Sequence, residues 1–300
     1  MKISYSASAK VILSGEHAVV YGKPALVSAI NLRLKFYLWE ESIKINDKNI
    51  LFISDKVKGY LRNIKINFVD RLFNFKIESE IPIGRGLGSS AALSVASVAS
   101  FLEFYTGRQF DKKIINELAF AIEKHFHSNP SGADNTASCF GGLILYQKQK
   151  SLKNLDYKIP KNIEEKLFLI DSGKPEETTG EMVDFVKTKI NEDILNVIEK
   201  ITSKLVISIK KNDEPIFKKC LVDNEKQLEK LGVVSDKTRK LLATLSKFGV
   251  GKVTGAGGIK EGSGFILFYA DKIKELTTFL QVRKISYYKF IPDITGLIRL

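Results

Sequence analysis

Gly84, Gly86 and Gly88 stand in Pro82-Ile83-Gly84-Arg85-Gly86-Leu87-Gly88-Ser89-Ser90, the part of the chain most able to do chemistry. Glycine lacks a Cβ, so the backbone there can approach a ligand and aim successive N–H groups at it. Small and apolar residues from Ala91 to Tyr105 follow without a breaker and read as a buried helix ending near Gly107. The start of that helix adds positive potential at the same place. Ser89 and Ser90 offer hydroxyls that can bond phosphate oxygens or a magnesium ion. Together they make an anion cradle. The competing reading is a glycine turn that only packs a helix against a strand.

Standard phosphate motifs do not describe this loop. A Walker loop ends in Gly-Lys-Ser/Thr, whereas Gly88 is followed directly by Ser89. Gly86, Gly88 and Ala91 meet the loose Rossmann spacing, but a second helix follows where a parallel strand ending in a ribose-binding acid is needed. Two other loops, Ser14-Gly15-Glu16-His17 and Gly255-Ala256-Gly257-Gly258, could line a cavity or simply reverse the chain. Asp134 stands in the loop Asn129-Pro130-Ser131-Gly132-Ala133-Asp134-Asn135, where a turn role is the commoner one. Glu123 falls on an expected helix, an ordinary place for a solvated acid. Spacing does not show whether Lys10, Ser90, Glu123 and Asp134 converge. The residues by themselves point to a phosphate-binding enzyme.

The elements that must carry these residues are mixed. Strands are expected over 4–13, 25–39 and 73–78, the last with strict alternation in Phe73-Asn74-Phe75-Lys76-Ile77-Glu78. Ile115, Leu118, Ile122 and Phe126 place one apolar face on a helix over 112–126. The polar stretch 147–161, broken at Pro160, is the best domain boundary. Beyond it the patterning predicts a strand over 167–170, then helices over 177–189, 193–210, 214–231 and 236–248. Short strands at 252–254 and 264–269, a helix over 272–281 and a strand over 286–291 complete the chain. Without a regular βαβ repeat, the pattern argues for an α+β protein rather than a doubly wound one.

Composition limits the partners. The 300 residues are 44% hydrophobic and 27% charged, enough to bury a sizeable core. No apolar run approaches the ~20 residues that cross a bilayer, and Met1-Lys2-Ile3-Ser4-Tyr5 does not begin a signal peptide. Cys139 and Cys220 cannot make a disulfide framework, and His17, His125 and His127 leave little for a histidine metal site. A cytoplasmic protein without a membrane partner is expected. The net charge of +13 would suit nucleic acid, but the lysines are interleaved with acids and lack alternating aromatics. A basic nucleic-acid-binding protein is therefore the different-class alternative, and no nucleic acid is the expectation.

The same residues resemble a known family, the GHMP kinases. Its first motif is similar to Ser6-Ala7-Ser8-Ala9-Lys10-Val11-Ile12-Leu13-Ser14-Gly15-Glu16-His17, continued through Ala18-Val19-Val20-Tyr21-Gly22-Lys23-Pro24-Ala25. Gly86-Leu87-Gly88-Ser89-Ser90-Ala91-Ala92 resembles its ATP-phosphate loop, and Asn129 to Asn135 the segment of its catalytic aspartate. Lys252-Val253-Thr254-Gly255-Ala256-Gly257-Gly258 looks like its third motif, so four matches run in order from residue 6 to residue 258. The resemblance implies a two-domain GHMP-kinase fold. A ribosomal protein S5 domain 2-like N-terminal domain would span 1–155, and a ferredoxin-like C-terminal domain 156–300.

It also implies ATP and Mg²⁺ as cofactors and assigns roles by position. Asp134 would be the catalytic acid–base with Lys10 beside it, and Ser90 and Glu123 the magnesium ligands. Gly86, Leu87, Gly88, Ser89, Ser90 and Ala91 would hold the nucleotide phosphates. Glu16 and His17 would lie towards the substrate, and Thr179 near the transferred phosphoryl group. Lys10 stands where the galactokinase branch carries Arg and Asn, and the string Glu16 to Ala25 favours mevalonate, phosphorylated on its C5 hydroxyl, as the small-molecule substrate. A phosphorylated relative of that alcohol is the alternative, and a homodimer stays open. Three departures stand out: Ser8-Ala9 for the usual Pro-Gly, Arg85 for a small residue, and Ile259-Lys260-Glu261-Gly262-Ser263-Gly264 after the third motif.

Overall fold

The structure is a computed structural model, and it describes residues 2–42, 45–126, 130–148 and 153–300. His127, Ser128 and Asn129 therefore lie outside the described residues, as does part of the expected boundary segment. Strand β1 (Lys2–Ser14) leads through a short 3-10 turn at Ala18–Tyr21 into its antiparallel partner β2 (Ala25–Glu40). Then come helix α1 (Lys48–Asn63), strand β3 (Phe73–Ser79), helices α2 (Ser89–Thr106), α3 (Lys112–Phe126) and α4 (Ala133–Phe140), and strands β4 (Leu143–Tyr146) and β5 (Lys153–Asn154). Ile3, Tyr5, Ala7, Ala9, Val11 and Leu13 alternate into the main core. The residues between them are buried as well, so β1 has no solvent face beyond its first residues. Helix α2 packs over β1 and β2, and its small residues let it lie wholly inside.

Three local differences from the sequence expectation have physical causes. Helix α2 starts at Ser89 rather than Ala91, because Gly88 adopts φ +78° and releases the chain straight into helix. The loop expected to run through Asn135 ends sooner: Gly132 at φ +91° starts α4, so Asp134 occupies a first helical turn. Helix α1 has no counterpart among the expected elements. It is capped by Asp47, whose carboxylate accepts the Asn49 and Ile50 N–H groups, and it buries Ile50, Ile53, Val57 and Leu61.

The second half runs α5 (Lys161–Glu164), β6 (Leu167–Asp171), α6 (Thr179–Lys187), α7 (Glu192–Lys211), α8 (Glu214–Leu231), α9 (Asp236–Leu245), β7 (Gly249–Val253), β8 (Phe265–Ala270), α10 (Ile273–Val282) and β9 (Tyr287–Lys289). Its antiparallel sheet has the order β7-β8-β6-β9. That order, with helices after the first and third strands, is the ferredoxin-like arrangement the resemblance implies. The expected helix from residue 177 begins at Thr179 instead, because Thr178 caps it in a reciprocal box with Glu181. Strand β10 (Ile298–Arg299) leaves this lobe and pairs with the outer edge of β1. We take 1–155 and 156–300 as the two lobes, with these last residues crossing back.

A buried latch holds that return. Arg33 pairs with Asp293 and donates to the Ser6 carbonyl at 3.0 Å, while Asp293 Oδ1 accepts the N–H groups of Thr295 and Gly296, each at 2.8 Å. Burial works to raise the Asp293 carboxyl, but the Thr295 and Gly296 hydrogen bonds and the Arg33 charge hold it below the usual carboxylate range. Asp293→Ala should lose about 3–5 kcal/mol in chemical denaturation, because it strands a largely buried guanidinium. A depressed carboxyl stabilises above its unfolded value of about 3.9 and loses that contribution as pH falls through the folded value. Asp293→Asn should therefore be less stable at neutral pH, and its deficit should shrink as both proteins are titrated into acid.

Candidate active site

A cavity of about 480 Å³ opens between the lobes, and Lys10 and Asp134 meet in it. Lys10 Nζ lies 3.1 Å from Asp134 Oδ2; the lysine side chain is 2% exposed and the aspartate side chain 38%. The ammonium is thus supplied from the buried strand β1, and the carboxylate faces the open space. Two constraints aim them. The Lys10 N–H donates to the Leu87 carbonyl at 3.0 Å, and a Cβ on Gly88 would stand 2.9 Å from Lys10 Cγ. Only a glycine at 88 leaves room for the lysine stem. On the other side, Tyr146 donates its hydroxyl proton to the Ser131 carbonyl at 2.7 Å, fixing the turn that starts α4.

A second acid sits beside them. Glu123 is nearly buried, and accepts from Ser90 Oγ at 3.2 Å and Ser94 Oγ at 2.7 Å. Ser90 and Glu123 line the same cavity as Lys10 and Asp134, a convergence that spacing could not show. Gly86, Gly88 and Ser89 also line it, and Gly86 packs so closely on the third motif that its Cβ would lie 2.9 Å from the Thr254 carbonyl. The two glycine loops meet backbone to backbone. The side chains of Leu87 and Ala91 do not line the cavity; both are in the core, and the Leu87 carbonyl accepts the Lys10 N–H. Thr179 lines the opposite wall at the start of α6.

His17 and Glu16 part company. His17 lines the cavity, and its Nε2 donates to the Ala256 carbonyl at 3.1 Å. Burial pushes the imidazole down to about 4, so it is neutral at physiological pH. Glu16, expected towards the substrate, turns away instead. Its carboxylate forms a fully buried ion pair with Lys252 and accepts from Asn224 Nδ2 at 3.2 Å.

Other residues gain a place that the sequence alone did not give them. Arg85 pairs with Asp171 at the end of β6, across the cavity mouth. Lys174 lines the cavity and, among the described residues, has no carboxylate partner. The altered stretch after the third motif folds into a hydrogen-bonded turn. Ser263 N–H donates to Ser172 Oγ at 3.0 Å, while Glu177 accepts the N–H groups of Ile259 and Lys260, each at 3.2 Å. That turn braces the wall carrying Lys174 and Thr179. Its signal was the unusual Lys260-Glu261-Gly262-Ser263 itself, which reads as an insertion until Glu177 is seen beneath it.

A buried cation held against an acid beside a glycine-lined anion cradle is phosphoryl-transfer architecture. Residues 55–142 match the family model for the GHMP kinases N terminal domain. The chain is 33% identical over 291 residues to the mevalonate kinase of Archaeoglobus fulgidus, covering 90% of this chain and 93% of that one. The crystal structure of Methanococcus jannaschii mevalonate kinase superposes with a TM-score of 0.76 at 24% identity, over 98% of each chain. Streptococcus pneumoniae phosphomevalonate kinase shares the fold as well, at a TM-score of 0.78, 19% identity and full coverage of both chains. The chain belongs to the GHMP kinase family, in its mevalonate kinase branch. It is a kinase.

Gly88→Ala tests the cradle directly. The new methyl would force the Lys10 stem aside at a position with φ +78°. Displacing a positioned group by about 1 Å costs on the order of 100-fold in rate, so kcat should drop by that order while the circular dichroism spectrum stays unchanged.

Proposed function

We propose that this chain transfers the γ-phosphoryl group of ATP to the C5 hydroxyl of mevalonate, giving 5-phosphomevalonate for isoprenoid precursor synthesis. The observation that carries the reading is the Lys10–Asp134 pair facing the cavity beside the Gly86–Ser90 loop. Asp134 accepts the proton of the attacking primary hydroxyl and orients it. Lys10 keeps Asp134 in place and offsets negative charge on the phosphoryl group in flight. The amides of the glycine loop and the N-terminus of α2 bind the phosphates of the leaving ADP. Lys174 adds a positive charge from the opposite wall. Thr179 meets the transferred group from the same side, and His17 meets the substrate.

Magnesium fits this site. Among the described residues no three His, Cys, Asp or Glu side chains cluster as a metal cage. Mg²⁺ needs no such cage, since it keeps water and phosphate oxygens and takes one or two protein ligands. Glu123, nearly buried and surrounded by serine hydroxyls, has the chemistry of such a ligand, with Ser90 as the second. When bound there, the ion neutralises charge on the β- and γ-phosphates. The same reading takes the protein to be cytoplasmic and without a nucleic-acid partner, and leaves a homodimer open; no helix among the described residues is long and apolar enough to cross a membrane. The phosphomevalonate kinase neighbour makes a phosphorylated acceptor the second reading.

The test is ADP release from Mg·ATP with mevalonate, 5-phosphomevalonate, homoserine and galactose offered separately, and phosphorus NMR of the product. Turnover is expected with mevalonate alone, giving a primary phosphate ester. Turnover with 5-phosphomevalonate instead would move the chain to the second reading. Asp134→Ala and Lys10→Met should each lower kcat by about 10²–10³; near-normal rates in either would remove that residue from the mechanism. Because burial keeps His17 neutral down to well below its ordinary value, the His17 ring should show no titration near pH 6.5 when followed by NMR.

A further inference from the structure

We infer that Lys252, acting through the buried carboxylate of Glu16, is a positioning residue that holds His17 towards the substrate. The inference rests on the functional reading above, in which His17 meets mevalonate. Its starting point is a backbone outlier. His17 sits at φ 59°, ψ −46°, a region that residues with a Cβ avoid and that persists only where the surroundings over-determine it.

Those surroundings are unusually complete. Glu16 and Lys252 both have 0% side-chain exposure, and they form an ion pair. Lys252 also donates to the Ile12 carbonyl at 3.2 Å, and Asn224 donates to the second Glu16 oxygen at 3.2 Å. Glu225, the other acid on this seam, accepts the Val253 N–H at 2.8 Å. Four residues beyond Lys252, the Ala256 carbonyl accepts a hydrogen bond from His17 Nε2. The dipeptide Glu16–His17 is therefore gripped at both side chains by the segment 252–256 of the other lobe. Swinging Glu16 out towards a ligand would leave the Lys252 ammonium buried and unpaired, which is strongly unfavourable.

The grip also fixes the ring's chemistry. A carbonyl can only accept, so Nε2 carries the proton and Nδ1 is left as the ring's acceptor. A neutral acceptor suits a hydroxyl of the substrate and not its carboxylate. Lys252 thus belongs to substrate recognition, although it touches no substrate.

The experiment uses the full-length protein and the charge-neutral pair variant Glu16→Gln/Lys252→Met, which removes both buried charges together and so avoids stranding either. KM for mevalonate should rise about tenfold, within the range of measured coupling between contacting residues, while KM for ATP stays within about twofold. Adding His17→Ala to the pair variant should raise it no further, because both changes remove the same contact. An unchanged mevalonate KM, an equal rise for ATP, or effects that multiply with His17→Ala would each overturn the inference. Glu16→Gln alone keeps an acceptor for Lys252 and Asn224, and should raise the mevalonate KM by a smaller factor if the pair variant fails to fold; no rise there is equally fatal. Nitrogen-15 shifts of the His17 ring read the tautomer without any turnover. A single Nε2-protonated form in the native protein, becoming mixed in the variant, is expected. This tautomer change in the variant, together with a native protein that ignores mevalonate, would sink the functional reading and leave the positioning intact; an unchanged tautomer in the variant would sink the positioning.

Discussion

A lysine ammonium buried in a β-strand with no solvent face is the constraint around which this molecule is arranged. Placing a charge there is tolerable only if a partner and hydrogen bonds reach it. Strand β1 meets that demand by crossing beneath Gly88, so that the Lys10 stem fills the space a Cβ would occupy and its tip comes to Asp134. Much of the rest follows. Gly132 and Tyr146 fix the start of α4 because Asp134 must meet the ammonium in one place. Small residues fill α2 because that helix has to lie inside, against the strand that brings the lysine. The charge is costly to bury, and the fold around it is correspondingly specific.

The same strand joins the lobes. Ile12 exchanges two hydrogen bonds with Thr254 Oγ1, each at 3.0 Å, and its carbonyl also takes a proton from Lys252. Two residues on, Ser14 bonds Thr202 at 2.8 Å and Asn224 at 2.7 Å. The lobes thus meet through directional bonds as well as through a shared apolar core. Buried polar networks of this kind favour one arrangement over its neighbours, since a shifted register would leave several groups unsatisfied. For a phosphoryl-transfer site that is useful: the glycine loop, Lys10 and Asp134 come from one lobe, while Lys174, Thr179 and Ala256 come from the other.

What could be read from the sequence was what short stretches of chain decide. Alternation over Phe73-Asn74-Phe75-Lys76-Ile77-Glu78, the glycine loop at 84–88, and the helices over 112–126 and 214–231 depend on neighbours in sequence, and the structure has them. Helix α1 was not legible because its charged residues blur the apolar period and its packing partner, α2, comes later in the chain. The direction of Glu16 is where the resemblance and the structure part. Carried over by position it would lie towards the substrate, and Lys252, 236 residues away, turns it inward. Leu87 and Ala91 belong to the motif, yet their side chains serve the core and only their backbone is left to the loop. The meeting of Lys10 with Asp134 lies between these cases, since the resemblance implied it and no spacing could.

The absence of a lysine from the glycine loop then has a structural reason. In a Walker loop the lysine follows the last glycine and reaches the phosphates from the loop itself. Here Ser89 takes that place, and the cation comes from the neighbouring strand, where it is already paired with the Asp134 carboxylate. In the proposed reaction, one ammonium ties the position of Asp134 to that of the phosphoryl group. A loop lysine would have to be matched to the aspartate through a separate set of contacts. With the cation on β1, the lobes' hydrogen-bonded seam holds it in place against Asp134 on α4. Precision is thereby supplied by a buried strand, and the exposed glycine loop has only to present its amides.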